Sequence, residues 1–138
     1  MFNLDERLQN DTYFVANLPI SQLLLMNDKQ YPWFILVPRI AEISETCQLS
    51  ASEQVAVLAE SNALSQALLD LYVPTTLNVA ALGNVVRQLH IHHIARFEHD
   101  KAWPTPIWGH SPSVAYTDAE AQLLINQILA HAKIKELL

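Results

Sequence analysis

Glycine is nearly absent from the 138 residues, with two in the whole chain, and cysteine appears once, as Cys47. With 51% of residues apolar, a disordered or low-complexity chain is excluded. A lone cysteine excludes an internal disulfide framework. Cations are also few: eight Lys and Arg against fourteen Asp and Glu leave a net charge of −6. A nucleic acid is therefore not an expected partner, because tracking a phosphate backbone needs a surplus of basic side chains. A small anionic ligand stays open if the few cations gather at one site. The longest apolar runs, Leu23–Met26 and Trp33–Val37, fall far short of the roughly 20 residues that span a bilayer. The first twenty residues have neither a basic start nor an extended apolar stretch, so no secretion signal is expected. The expectation is a cytoplasmic protein without membrane contact. No repeat or linker divides the chain, and its length suits a single domain over 1–138.

Leu4 and Leu8, four apart, suit a short helix ahead of a β-prone segment over Thr12–Leu18. Ile20–Met26 and Trp33–Val37 read as a hairpin joined by the turn-forming residues 27–32, with Pro38 ending the ladder. Ser50 and Glu53 have capping-box spacing and predict a helix of about 20 residues, ending near Tyr72 ahead of Pro74. Val55, Leu58, Ala59, Leu64, Leu68 and Leu69 are its expected buried stripe. Thr75–Ala80 and Val85–Phe97 read as two further strands joined by a turn at Gly83-Asn84. Thr117 and Glu120 repeat the capping-box spacing, and Leu123, Leu124, Ile128 and Leu129 give a final helix running to the C-terminus. Five strands and two main helices make an α+β domain with a mainly antiparallel sheet.

Three of the six histidines fall within the run Gln88–Arg96. If that run is extended, alternation puts Gln88, His90, His92, Ile94 and Arg96 on one face and Leu89, Ile91, His93 and Ala95 on the other. Two imidazoles then stand roughly 6.5 Å apart along the strand. The pattern fits three chemistries. Strand histidines can serve as core or edge hydrogen bonders, one imidazole can act while its neighbour assists, or His90 and His92 can ligate Zn or Fe with His99 or His110 as a third donor.

The segment Gly83-Asn84-Val85-Val86-Arg87-Gln88-Leu89-His90-Ile91-His92, with Asn78 and Arg96, resembles the signature of the histidine-triad (HIT) superfamily, His-φ-His-φ-His-φ-φ with φ apolar. Trp33–Arg39 is similar to the family's apolar strand ending in Pro-Lys or Pro-Arg, and Glu42–Glu45 to the segment leading into its helix, so the resemblance covers roughly residues 20–110. Gln88 stands where the first triad histidine belongs, Val85 where many members carry a hydroxyl, and Ala95 where proline often precedes arginine.

The resemblance implies a HIT-like fold, a homodimer, and hydrolysis or nucleotidyl transfer on a nucleotide ester, amidate or dinucleoside polyphosphate, with no cofactor required and no metal. His90 falls on the family's nucleophile and His92 on the third histidine. Gln88, Asn84 and the backbone at Gly83 are the implied phosphoryl donors. Asn27 and Asp28 match the polar pair that holds ribose hydroxyls, and Asn78 a residue lining the phosphate site. Arg96 and Trp33 are supporting, Trp33 packing beside His92. Two alternatives stand beside this reading: a nucleotide-binding protein with little catalysis, suggested by Gln88, and the histidine-ligated metal enzyme.

Overall fold

A computed structural model describes all 138 residues. The chain begins with α1 (Glu6–Asp11) and enters β1 (Thr12–Asn17), β2 (Ser21–Met26) and β3 (Trp33–Pro38). After a 3-10 turn at Thr46–Gln48 come α2 (Ala51–Tyr72), β4 (Thr76–Ala81), β5 (Ile91–Arg96), α3 (Asp118–Ala130) and α4 (Ala132–Lys135). The five strands form one antiparallel sheet in the order β1-β2-β3-β5-β4.

β3 is apolar throughout and buried at every position because both of its faces are covered. Phe34 and Leu36, with Leu23 and Leu25 of β2, pack under Leu64, Leu68, Ile125 and Ile128 of the long helices. The alternate residues Trp33, Ile35 and Val37 join Ile94, Leu8, Ala102 and Ile107 on the other face, which no long helix covers. That second face is the one that carries chemistry.

Both predicted helix starts are present. Ser50 Oγ accepts from Glu53 N–H at 3.2 Å while Glu53 accepts from Ser50 N–H at 2.7 Å. Thr117 and Glu120 close the same reciprocal pair at 3.2 and 2.8 Å.

Three expectations are corrected. The buried arc of α2 is Val57, Glu60, Leu64, Ala67 and Leu68, leaving Val55, Leu58 and Leu69 exposed. Apolar residues surround this helix, so spacing alone does not select the arc, and Glu60 enters the interior because its carboxylate accepts from Ile20 N–H at 2.9 Å. The last helix breaks at His131, whose extended backbone (ψ 134°) ends α3 and whose ring accepts from Lys133 N–H at 3.1 Å to start α4. In α3 the fully buried residues are Ala121, Ile125 and Ile128, and Leu123 is exposed. Finally, the strand expected over Val85–Phe97 is limited to Ile91–Arg96. Ile91 pairs with Leu36 on one side and Ala81 on the other, and each of those pairings ends there, so residues 85–90 have no ladder to join.

Candidate active site

His90 sits just before β5 and His92 within it, and the two rings meet edge to face with centroids 4.9 Å apart. Each is held by a partner that can play only one role. His90 Nδ1 lies 2.7 Å from the carbonyl oxygen of Gln88. A carbonyl only accepts, so Nδ1 carries the proton, and in the neutral ring the lone pair is on Nε2. His92 is wired the opposite way. The Trp33 indole N–H, a donor only, points at His92 Nδ1 at 2.9 Å, which puts the ring proton on Nε2. Burial, reinforced by repulsion from His90 and His93, pushes His92 down to about 3, so it remains neutral at physiological pH. The pair therefore presents one acceptor nitrogen and one N–H donor side by side.

Both rings line a cavity of about 570 Å³ whose wall includes Leu82, Asn84, Val86, Arg7 and Trp108. A second cavity of about 390 Å³ adjoins it and contains Asn27 and Asp28. Asp11, Met26, Trp33, Trp108 and Gly109 line both, so the two form one groove, and the Trp108 ring on that shared wall lies 5.3 Å from His92 and 6.5 Å from Trp33.

The remaining predicted residues divide. Trp33 is placed as expected, against His92. Asn84 reaches the histidine cavity, whereas Gly83 beside it is not part of the wall. Gln88 turns away from the cavity. Its amide oxygen accepts from Asp5 N–H and its amide nitrogen donates to Asn3 carbonyl, both at 2.8 Å, because residues 85–90 leave the sheet and strand alternation does not govern them. Asn78 and Arg96 belong to a separate buried cluster. Arg96, 2% exposed, donates to Asp100 at 2.8 and 3.1 Å, to Asn78 Oδ1 at 2.7 Å and to the Thr105 carbonyl at 2.8 Å. Its guanidinium also lies 5.7 Å from the Trp103 ring. That network ties the irregular segment after β5 to the sheet, and the same segment supplies Trp108 to the groove. Asn27 and Asp28 border the second cavity, the single side-chain oxygen of Asn27 and one of the two carboxylate oxygens of Asp28 being engaged. Asn27 Oδ1 accepts from Tyr116 N–H at 2.9 Å and Asp28 Oδ1 from Gln30 N–H at 3.1 Å.

His93 faces the helices, donating from Nδ1 to the Ile91 carbonyl at 3.0 Å and accepting from the Ser61 hydroxyl at 2.7 Å. As for the metal alternative, His99 stacks on Phe97 at 5.1 Å, and no group of three or more His, Cys, Asp or Glu side chains is arranged to hold a metal ion. No helix is long and apolar enough to cross a membrane.

Arg7, Asp11 and Leu82 were missed from the sequence. The only hint was α1 itself, where Arg7 and Asp11 flank Leu8 one turn apart.

A HIT domain model matches residues 7–99. The fold is similar to a histidine triad protein from Marinobacter aquaeolei VT8, with 43% identity over 100% of this chain and 99% of that one and a TM-score of 0.95. A histidine triad protein from Sinorhizobium meliloti 1021 is 38% identical, covering 99% and 97% with a TM-score of 0.91. One from Bradyrhizobium japonicum is 39% identical, covering 92% and 95% with a TM-score of 0.90. A comparison with curated proteins gives no match. With the model spanning the groove-forming strands and three such relatives aligned over nearly the full length, the chain belongs to the histidine-triad (HIT) family.

Proposed function

We propose that this protein binds a nucleotide in the groove and cleaves it at the α-phosphorus through a nucleotidyl-histidine formed on His90. The observation that supports the reading is the opposed wiring of His90 and His92 in one cavity. In the first step the Nε2 lone pair of His90 attacks phosphorus, the N–P bond forms and the bond from phosphorus to the leaving group breaks, a polyphosphate departing as its anion and an amine departing after taking a proton from solvent. The ring becomes cationic while its Nδ1–H stays bonded to the Gln88 carbonyl, which stabilises that charge. His92 has no proton to spare at neutral pH. It therefore acts as a fixed neutral donor toward the phosphoryl or leaving-group oxygen, a role whose removal typically costs roughly 10²–10³-fold in rate. Water then displaces the imidazole, the N–P bond breaks, and the water proton passes to solvent. These steps need no cofactor.

The substrate class is a nucleotide ester, amidate or dinucleoside polyphosphate, and the protein acts as a homodimer, a state that a sedimentation measurement tests directly. The decisive experiment uses diadenosine tetraphosphate labelled at the adenylyl phosphorus. A protein-bound label, stable in base and labile in acid, is expected in the wild type and absent in His90→Asn. Full turnover by folded His90→Asn protein refutes the mechanism. Tight mononucleotide binding with no adduct in the wild type would leave a binding module instead.

A further inference from the structure

The histidine cavity has a single cationic side chain on its wall, Arg7, and it comes from α1, outside the strand motif. Its guanidinium makes no hydrogen bond or ion pair within the protein; only its backbone N–H is engaged, by Asp5 Oδ1 at 2.8 Å. The main chain that carries it is nevertheless fixed. The Gln88 amide grips the main chain on both sides of Leu4, at Asn3 carbonyl and Asp5 N–H, and Asp5 in turn caps α1. The next residue, Leu8, is 4% exposed, so α1 cannot roll Arg7 out of the groove without pulling Leu8 from the core.

Charge along the groove is uneven. The second cavity carries Asp28 as well as Asp11, which it shares with the histidine cavity, and has no cation, so a chain of phosphates there would meet repulsion, while hydroxyl groups would find acceptors. Beyond the shared Asp11, the other end of the groove carries Arg7, its one cation, and the neutral Asn84 amide, in a molecule of net charge −6.

We infer that Arg7 is a specificity-determining residue that binds the charged part of the leaving group beyond the scissile phosphorus, and that Gln88 is the residue that positions it. The inference rests on the proposed nucleotidyl transfer to His90 and narrows it to substrates with polyphosphate leaving groups. Guanidinium suits this task because it pairs with phosphate oxygens through two parallel N–H donors.

The test compares wild type, Arg7→Gln and Gln88→Ala on two substrates sharing one adenylyl group. One is diadenosine tetraphosphate, which releases ATP, and the other is adenosine 5′-phosphoramidate, which releases ammonia. Because Arg7 is solvent-exposed, the expected effect is at the lower end for a charged hydrogen bond, a fall of about tenfold in the kcat/KM ratio of the first substrate to the second. Gln88→Ala should lower the same ratio and also speed hydrogen exchange at the Asp5 amide. An equal loss on both substrates, or no change in the ratio, overturns the inference. Calorimetry with inorganic tripolyphosphate supplies a readout independent of turnover, with affinity about tenfold weaker in Arg7→Gln. Equal affinity overturns the role of Arg7 even if catalysis stands. If neither substrate is cleaved by the wild type, the proposed reaction fails, and the tripolyphosphate difference still decides Arg7.

Discussion

Mild acid should destabilise this protein through His92 and His93, and the size of the effect follows from where their rings sit. Burial pushes His92 down to about 3, with His90 and His93 adding repulsion. Burial likewise pushes His93 down to about 4, against the opposing bond to the Ile91 carbonyl. Unfolding returns both rings to water, where an imidazole titrates near 6.5. Below that pH the unfolded chain takes up two protons that the native state refuses. The stabilisation is thus fully present above about pH 6.5 and is lost as pH falls toward the folded values. Each histidine contributes up to about 1.4 kcal/mol per pH unit, so the pair costs about 4 kcal/mol at pH 5 and about 5 kcal/mol at pH 4.5. A domain has only about 5–15 kcal/mol in total. Glu60 works in the other direction. Burial raises its carboxyl above the usual range, so protonation in acid relieves a native-state penalty and offsets part of the loss. Urea unfolding followed by circular dichroism at pH 7.5, 6, 5.5 and 5 measures the slope. It should approach two protons per molecule between pH 6 and 5, and about one in His93→Gln or His92→Asn. A stability that is flat from pH 7.5 to 5, or a slope untouched by both substitutions, refutes the reasoning.

Arg96→Met should cost about 3–5 kcal/mol, since it strands the Asp100 carboxylate, 4% exposed, without its ion pair; a Tm lower by about 10–20 °C is expected in calorimetry. Arg96→Lys should restore only part of that loss, because an ammonium cannot reach Asp100, Asn78 and the Thr105 carbonyl together. Trp33→Phe should cost about 1–3 kcal/mol by leaving buried His92 Nδ1 without its donor. Nitrogen NMR of the ring should then show the Nε2–H tautomer losing its dominance, and turnover should fall with it. Ser50→Ala should lower stability by about 1 kcal/mol through loss of the cap on α2, measured by thermal melting.

What could be read in advance was local. Each capping box needs residues three apart, so the helix starts were legible without tertiary information; His90 and His92 do meet, although His90 lies outside β5 and strand alternation does not bring it there. Trp33 beside His92 was legible through the family resemblance. The true roles of Gln88 and Arg96 were not. Gln88 bonds to residues 83 and 85 positions earlier, and strand alternation fails there because no neighbouring strand reaches residues 85–90. Arg96 does share a strand face with His92, but its partners come from β4 and the irregular segment, which only the folded sheet brings together. Hydrophobic spacing does not pick out the α2 arc, because apolar residues surround the helix and a buried carboxylate occupies one position of the arc. Its partner, the Ile20 amide, lies 40 residues away.

Any amino acid placed at position 88 still contributes a peptide oxygen, so the tautomer of the neighbouring imidazole survives whatever is attached to that α-carbon. The main chain thereby relieves the side chain of duty toward the reacting ring. In this protein that freedom is used to moor the opening residues of the chain across the front of the sheet. Orientation of the ring and recruitment of the amino-terminal segment are consequently separable traits, and an engineer could redesign the second by substitution at 88 while leaving the first intact.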